Sequence, residues 1–257
     1  MDLNLHGKKA IVCGSSQGIG KAIAINLASE GAEVTLVARH QHVLDAVLSE
    51  LPGSNHSSMA IDFAEPASLD VWKEKIQDNR YSILVNNAGG PAPGPAFDAS
   101  WADFEKAMHV HLRASHHLTQ WIVPAMKEGG FGRIVNVIST SVKIPIPGLG
   151  VSNTLRGAMA AWAKTLSHEL APFGITVNNI LPGYVETQRL KQIIQLRAEK
   201  SGKSMEQIAS GMREEIPAGR FADPMEVGAF AAFLCSDKAA YLNGTSIPFD
   251  GGKTGAF

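Results

Sequence analysis

The chain has little cysteine, little segregated charge and no long apolar run, and each shortage closes off a class of protein. Its 257 residues include only two cysteines, Cys13 and Cys235, far apart and without Cys-x-x-Cys spacing. That argues against a disulfide framework and against a thiolate metal site. Lysine and arginine number 23 against 24 aspartates and glutamates, with no block of like sign. Neither a nucleic acid nor an anionic membrane is expected as a partner. The opening Met1-Asp2-Leu3-Asn4-Leu5-His6-Gly7 has no basic region followed by an apolar stretch, and no window reaches the length of a membrane span. The expectation is a cytoplasmic protein whose partner is a small molecule. Histidine does not make up for the missing thiolates. His109 and His111 are two apart and diverge around a helix, and His116 and His117 are adjacent rather than stacked, so no metal site is expected.

What is present is a repeating apolar pattern. Residues 8–13 form a short apolar run, and from Ile19 the apolar positions recur as Ile19, Ile23 and Leu27, with Gly31 closing the segment. This predicts strand, turn, helix. Residues 33–38 read as a second strand, followed by a helix over 42–50, which makes a strand-helix-strand unit with a right-handed crossover. The alternation continues with strands at 58–62, 82–86, 132–138 and 175–181, and helices at 67–78, 100–126 and 152–171. Strands this apolar are buried on both faces. The predicted fold is a single α/β domain spanning 1–257, a doubly wound parallel sheet, and this length fits one core. Residues 89–95, rich in proline and glycine, read as a loop after a strand. Residues 186–216 interrupt the pattern with two short amphipathic helices, through Ile193, Ile194 and Leu196 and then Met205, Ile208 and Met212.

The turn after the first strand is Cys13-Gly14-Ser15-Ser16-Gln17-Gly18-Ile19-Gly20. A glycine-rich turn between strand and helix suits a dinucleotide. Gly14 permits the tight turn, Gly18 lets backbone approach a pyrophosphate, and Gly20 allows close helix packing. The helix N-terminus then offers free N–H groups to negative charge. With this turn come Asn86-Asn87-Ala88-Gly89, Ser139 after an apolar run, and Pro182-Gly183. Together these motifs resemble the short-chain dehydrogenase/reductase family, most closely its 3-oxoacyl-acyl-carrier-protein reductases. The likeness extends through Arg220-Phe221-Ala222-Asp223-Pro224 and Phe249-Asp250-Gly251-Gly252, nearly the whole chain. It implies a Rossmann-like fold and a nicotinamide cofactor held by Gly14, Ser16, Gln17, Gly18, Ile19 and Gly20. The family pattern further places Asp62 on the adenine amine, Asn87, Ala88 and Gly89 along the adenosine side, and Pro182, Gly183 and Thr187 on the nicotinamide carboxamide. The second strand ends in Ala38 where an NAD-binding protein would carry an acid, and Arg39 follows it. A guanidinium there matches a 2′-phosphate, so NADP(H) is expected over NAD(H).

The resemblance also implies four cooperating side chains: serine, tyrosine, lysine and asparagine. Only Ser139, the carbonyl-polarising serine, is retained. Tyr-x-x-x-Lys is replaced by Ser152-Asn153-Thr154-Leu155-Arg156, and His111 stands at the asparagine position. An aliphatic hydroxyl is a far weaker acid than a phenol, and an arginine does not give up its proton at ordinary pH. Arg156 can still hold ribose hydroxyls and stabilise oxyanion charge. The sequence nominates Ser139, Ser152, Arg156 and His111 as the catalytic set, with His111 as substitute proton donor through water or Ser152. Tyr184 and Lys143 are the lesser candidates.

Three functional readings remain at this stage. One is an NADP(H)-dependent oxidoreductase acting on a carbonyl, 3-oxoacyl-like or another ketone, or on the matching alcohol. Another is an NADP-binding protein that has lost catalysis and acts in regulation or association. The last is non-redox chemistry, as in halohydrin dehalogenases, whose serine and arginine this sequence shares while lacking their tyrosine. In the family the 186–216 insertion is a flap over substrate. An apolar underside would suit an apolar carbonyl compound or acyl thioester, but the same residues would serve as ordinary core. The family also implies a homodimer or homotetramer built on the two long helices.

Overall fold

A computed structural model describes residues 2–256. Seven strands carry the fold: β1 (Lys9–Cys13), β2 (Glu33–Ala38), β3 (Ser57–Ala60), β4 (Ile83–Asn86), β5 (Gly132–Val137), β6 (Ile175–Pro182) and β7 (Ser246–Phe249). They form one sheet in the order β3-β2-β1-β4-β5-β6-β7, every pair parallel. The chain therefore winds outward from β1 in one direction and from β4 in the other. The crevice between the carboxyl ends of β1 and β4 is the switch point, where sheets of this kind bind ligands.

The helices between the strands are α1 (Gly18–Ser29), α2 (Gln41–Leu48), α3 (Pro66–Asp70), α4 (Lys73–Asp78), α5 (Trp101–Met108), α6 (Ala114–Gly129) and α7 (Gly150–Leu170). After β6 come α8 (Gln188–Ser201), α9 (Met205–Glu214) and α10 (Pro224–Leu234). Alternation along each strand assigns successive residues to opposite faces. Ala10, Val12, Val34, Leu36, Val85, Val135 and Ile180 pack with apolar residues of α1, α2 and α10. Ile11, Val37, Leu84, Ile134 and Val177 pack with those of α3, α4, α6 and α7. The sheet is thus covered on both sides, as the doubly wound reading expects.

Two helices differ from the periodicity. The segment expected as one helix over 67–78 is split into α3 and α4 at Val71-Trp72, and Val71 is 78% exposed. The long helix expected over 100–126 contains a π-helical segment, His109–Arg113, between α5 and α6. Ala107, before that turn, packs with Val151 and Leu155 of α7, while Ala114, Leu118 and Ile122, after it, pack against the sheet. The 186–216 insertion is helical as expected, but most of its apolar stripe is already covered. Leu190, Ile194, Ala209, Met212 and Ile216 make their own cluster with Phe221, and Tyr184 and Ile208 pack against it. Ile193 is half-buried and only Leu196 and Met205 stay exposed, at 46% and 48%. The core-packing alternative accounts for most of these residues.

Candidate active site

The glycine turn is built as its spacing requires. Gly14 and Gly18 have φ of 60° and 56°, a region that favours glycine. A Cβ on Gly14 would lie 2.6 Å from the Asn87 carbonyl oxygen, and one on Gly20 would strike the Gly14 carbonyl. Asn87 closes the other side, its Nδ2 donating to the carbonyls of Cys13 and Gly14 at 3.2 Å each. These contacts tie the end of β1 to the end of β4 and shape the switch-point crevice. Ser15 is fully buried and fixes the turn to β2, where its Oγ accepts from the Val37 N–H at 2.9 Å. The first turn of α1 has no acidic residue and no side-chain cap, so its N–H groups and positive dipole end are left for an anion. Ser16, Gln17 and Ile19 lie between these glycines on or beside that end. Across the crevice, Thr187 caps α8, its Oγ1 accepting from the Leu190 N–H at 3.3 Å. A Cβ on Gly18 would come within 3.1 Å of the Thr187 methyl. Pro182 ends β6, and Gly183 packs against Asp250, where a Cβ would lie 2.7 Å from the Asp250 Cβ.

Arg39 follows β2, is exposed, and its guanidinium has no hydrogen bond or ion pair among the described residues. Asp62 is half-buried after β3, its Oδ1 accepting from the Ala64 N–H at 3.0 Å. Ala88 and Gly89 continue from Asn87 into a loop that pairs with the loop after β5. Gly94 donates to the Gly148 carbonyl at 2.7 Å, and Gly150 donates to that of Gly94 at 2.9 Å. Arg189 Nη2 of α8 reaches the Pro91 carbonyl at 3.5 Å. Three loops at the strand ends are thereby linked around the crevice.

Of the catalytic candidates, Ser139 follows β5 and its Oγ accepts from the Ser141 N–H at 3.1 Å, capping a single 3₁₀ turn, Thr140–Val142. Ser152 lies half-buried in the first turn of α7 and its hydroxyl has no hydrogen bond among the described residues. Arg156, one turn on and therefore on the same face, is 7% exposed. Its Nη1 donates to the Val137 carbonyl at 3.0 Å and its Nη2 to that of Ala88 at 3.3 Å. The guanidinium thus clamps the ends of β4 and β5 from above. Burial lowers its pKa to about 10, which leaves it cationic at neutral pH.

His111 sits in the π segment, 4% exposed. Burial, and then the charge of Arg156, pushes its pKa well below the ordinary imidazole value. This corrects the expectation of an imidazole poised to donate near neutrality. His111 is a neutral side chain here, able to accept or pass a proton but not charged to give one. Tyr184 is set edge-on to Phe221 with ring centroids 6.0 Å apart and packs against the cluster that α8 and α9 form with Phe221. The Cys13 thiol, under the turn, is pushed up to about 12 by burial and stays protonated.

Sequence reasoning missed a row of amides. Asn86, Asn136, Asn179 and Ser246 stand side by side on neighbouring strands. Nδ2 of Asn86 donates to Oδ1 of Asn136 at 2.8 Å, Nδ2 of Asn136 to Oδ1 of Asn179 at 2.9 Å, and Nδ2 of Asn179 to the Ser246 Oγ at 3.0 Å. The signal was available as an asparagine recurring in three largely apolar strands.

Comparison with known proteins agrees with this geometry. A family profile described as Enoyl-(Acyl carrier protein) reductase matches residues 14–254. Oxidoreductase UcpA of Escherichia coli K12 is 35% identical over 255 residues, covering 97% of this chain and 95% of that protein. The 3-oxoacyl-[acyl-carrier-protein] reductase FabG of Escherichia coli K12 is 31% identical over 252 residues, covering 97% and 98%. Among solved structures, L-sorbose reductase from Gluconobacter frateurii, complexed with NADPH and L-sorbose, superposes with a TM-score of 0.94 at 31% identity over the full length of both chains. The chain belongs to the short-chain dehydrogenase/reductase family of oxidoreductases.

Proposed function

We propose that the protein is an NADP(H)-dependent oxidoreductase that reduces a ketone, 3-oxoacyl-like or other, or oxidises the corresponding alcohol, with a proton relay unlike the family's. The observation that carries this is the switch-point cradle. Gly14, Gly18 and Gly20 allow the turn, α1, Asn87 and Thr187 to approach as closely as a Cβ would forbid, and the uncapped N-terminus of α1 opens onto the crevice so shaped. Ser16, Gln17, Gly18 and Ile19 would present backbone N–H groups to the pyrophosphate, with Asp62 and the Asn87-Ala88-Gly89 stretch along the adenosine half. Pro182, Gly183 and Thr187 would line the nicotinamide half. Arg39, exposed at the end of β2 with no acid before it, supports a 2′-phosphate. When bound, the nicotinamide supplies hydride chemistry.

Ser139 would hold the substrate oxygen, and the buried Arg156 cation would stabilise negative charge developing there. Ser152 offers a free hydroxyl, and His111 a neutral imidazole, to carry the proton. The linked loops around residues 88–97 and 143–150, together with the flap of α8 and α9, would keep water from the site. A groove of about 490 Å³ between α5, the π segment, α6 and α7 is lined by Trp101, Met108, Leu112, His116 and Trp162. It is the surface on which we place association with a second copy.

NADPH should raise the melting temperature more than NADH does, and Arg39→Ala should abolish that difference. Equal shifts with the two cofactors would remove the preference, and no shift with either would remove the site. Turnover is tested by NADPH oxidation against 3-oxoacyl thioesters and ketones, beside the double variant Ser152→Tyr, Arg156→Lys. Activity of the wild type supports the enzyme reading. Activity of the double variant alone would identify a cofactor-binding protein without catalysis.

A further inference from the structure

The amide row ends at an unanswered acceptor. Each asparagine in it donates towards Ser246, so Asn86 turns its Nδ2 to Asn136 and presents Oδ1 at the other end. Asn86 is 6% exposed and Oδ1 has no hydrogen-bond partner among the described residues. A buried acceptor left so is costly, and head-to-tail polarisation along the row strengthens its demand for a donor. Asn86 lines a cavity between the sheet and the π segment, together with His111 and Ser115. The space open to water centres is about 10 Å³, close to what one water needs. Asn86 from β4, His111 from the π segment and Ser115 from α6 bring three polar groups to it, the usual number for a buried water. Neither the His111 ring nor the Ser115 hydroxyl has a hydrogen-bond partner of its own among the described residues.

We propose that this cavity holds one water, which accepts from the cavity-facing ring N–H of His111 and donates to Asn86 Oδ1. His111 is then a positioning residue locked in one tautomer, with the lone pair of its other ring nitrogen turned away from the cavity. The hydrogen-bond chain runs from His111 through the water and three amides to Ser246. The other titratable groups lining the cavity are Arg156, from α7, and Cys13, from β1. Arg156 is cationic and Cys13 protonated, so neither offers a carboxylate-like partner that would draw a second proton onto the ring. The chain could run in reverse, with Ser246 donating and Asn86 presenting Nδ2 to the water. That arrangement would put the His111 proton on the opposite ring nitrogen, so the two directions are distinguishable.

The test is nitrogen NMR on histidine-labelled protein, with His111 assigned by its loss in His111→Asn, beside a crystal structure fine enough to place waters and identify the ring nitrogens. Expected are one water in the cavity and two well-separated ring nitrogen signals for His111, the protonated one facing the water. These should be unchanged between about pH 5.5 and 8. Ser115→Val, which fills the water's place, should collapse the two signals towards their average while the protein still melts cooperatively. Ser115→Ala, which keeps the space and removes one partner, should do so in part. Tautomer averaging in the wild type would overturn the proposal. So would a proton on the opposite nitrogen, a His111 titration near its ordinary value, or spectra of both Ser115 variants identical to wild type. None of these readouts involves NADPH or turnover, so the proposal can fail while the oxidoreductase reading stands.

Discussion

At the scale of single residues, the site pairs a buried cation with a buried neutral base. Arg156 holds a backbone carbonyl with each terminal nitrogen, which fixes the guanidinium and leaves each nitrogen a further N–H to donate. Its first task is to fix the ends of β4 and β5 relative to α7. His111 must then remain uncharged beside it, and that has a consequence for stability. The folded-state pKa of His111 is depressed, so below about pH 6.5, the ordinary imidazole value, the unfolded chain binds a proton that the folded one refuses. Stability must fall as pH drops through that range. Replacing His111 by Gln removes this component. The melting temperature of the variant should decline less between about pH 7 and 5 than that of the wild type. Parallel declines in the two proteins would mean that His111 is not held neutral.

At the scale of elements, the decisive contact is between a turn and a strand end. Gly20 lies in the first turn of α1, against the Gly14 carbonyl and 2.7 Å, by its notional Cβ, from Asn87 Nδ2. A methyl group there meets backbone on one side and the amide that joins β1 to β4 on the other. Neither can yield without opening the crevice. Gly20→Ala should therefore cost about 1–3 kcal/mol, as overpacked sites do, and lose the NADPH-induced thermal shift. Denaturant unfolding together with cofactor titration checks both parts, and a variant as stable and as responsive as wild type would contradict this account of the turn. The flap behaves differently. Capping boxes at Ser204 and Asp223 and a shared apolar cluster give α8, α9 and the start of α10 local support of their own. The flap's ties to the C-terminal segment, from Ala218 to the Gly251 carbonyl and from Lys253 to Glu215, restrain its far end.

At the scale of the whole molecule, the sheet is sealed on both faces, while the helical edge at α5, the π segment and α7 is not. Trp101 is 72% exposed and Met108 40%, and both line the groove, with Glu105 and Arg113 also along it. Exposed apolar surface gathered in this way marks an interaction site, and a second copy is the occupant that the two long helices were expected to serve. Sedimentation of the wild type should give a species larger than 27.3 kDa. Met108→Arg, which puts a charge in the groove, should shift it towards monomer. A monomeric wild type, or an assembly indifferent to Met108→Arg, would relocate the interface.

Much of this was legible in the sequence for a local reason. The strands at 33–38 and 175–181, the glycine turn and the two helices of 186–216 rest on periodicity and on backbone conformations that favour glycine. Such features are written in neighbouring residues. The π segment was not, because an extra residue in a helical turn is a change of hydrogen-bond register that no residue type announces. The split at Val71-Trp72 was hidden for a similar reason. Ser139, Ser152, Arg156 and His111 could be nominated from the order of motifs, but their states could not. That Arg156 is tied to two carbonyls, and that His111 is left neutral first by burial and then by the charge of Arg156, depends on elements far apart in the chain. The asparagines at 86, 136 and 179 are ordinary polar residues one by one. Only parallel register makes them a directed chain, because a hydrogen bond between strands exists only once the strands have been set side by side.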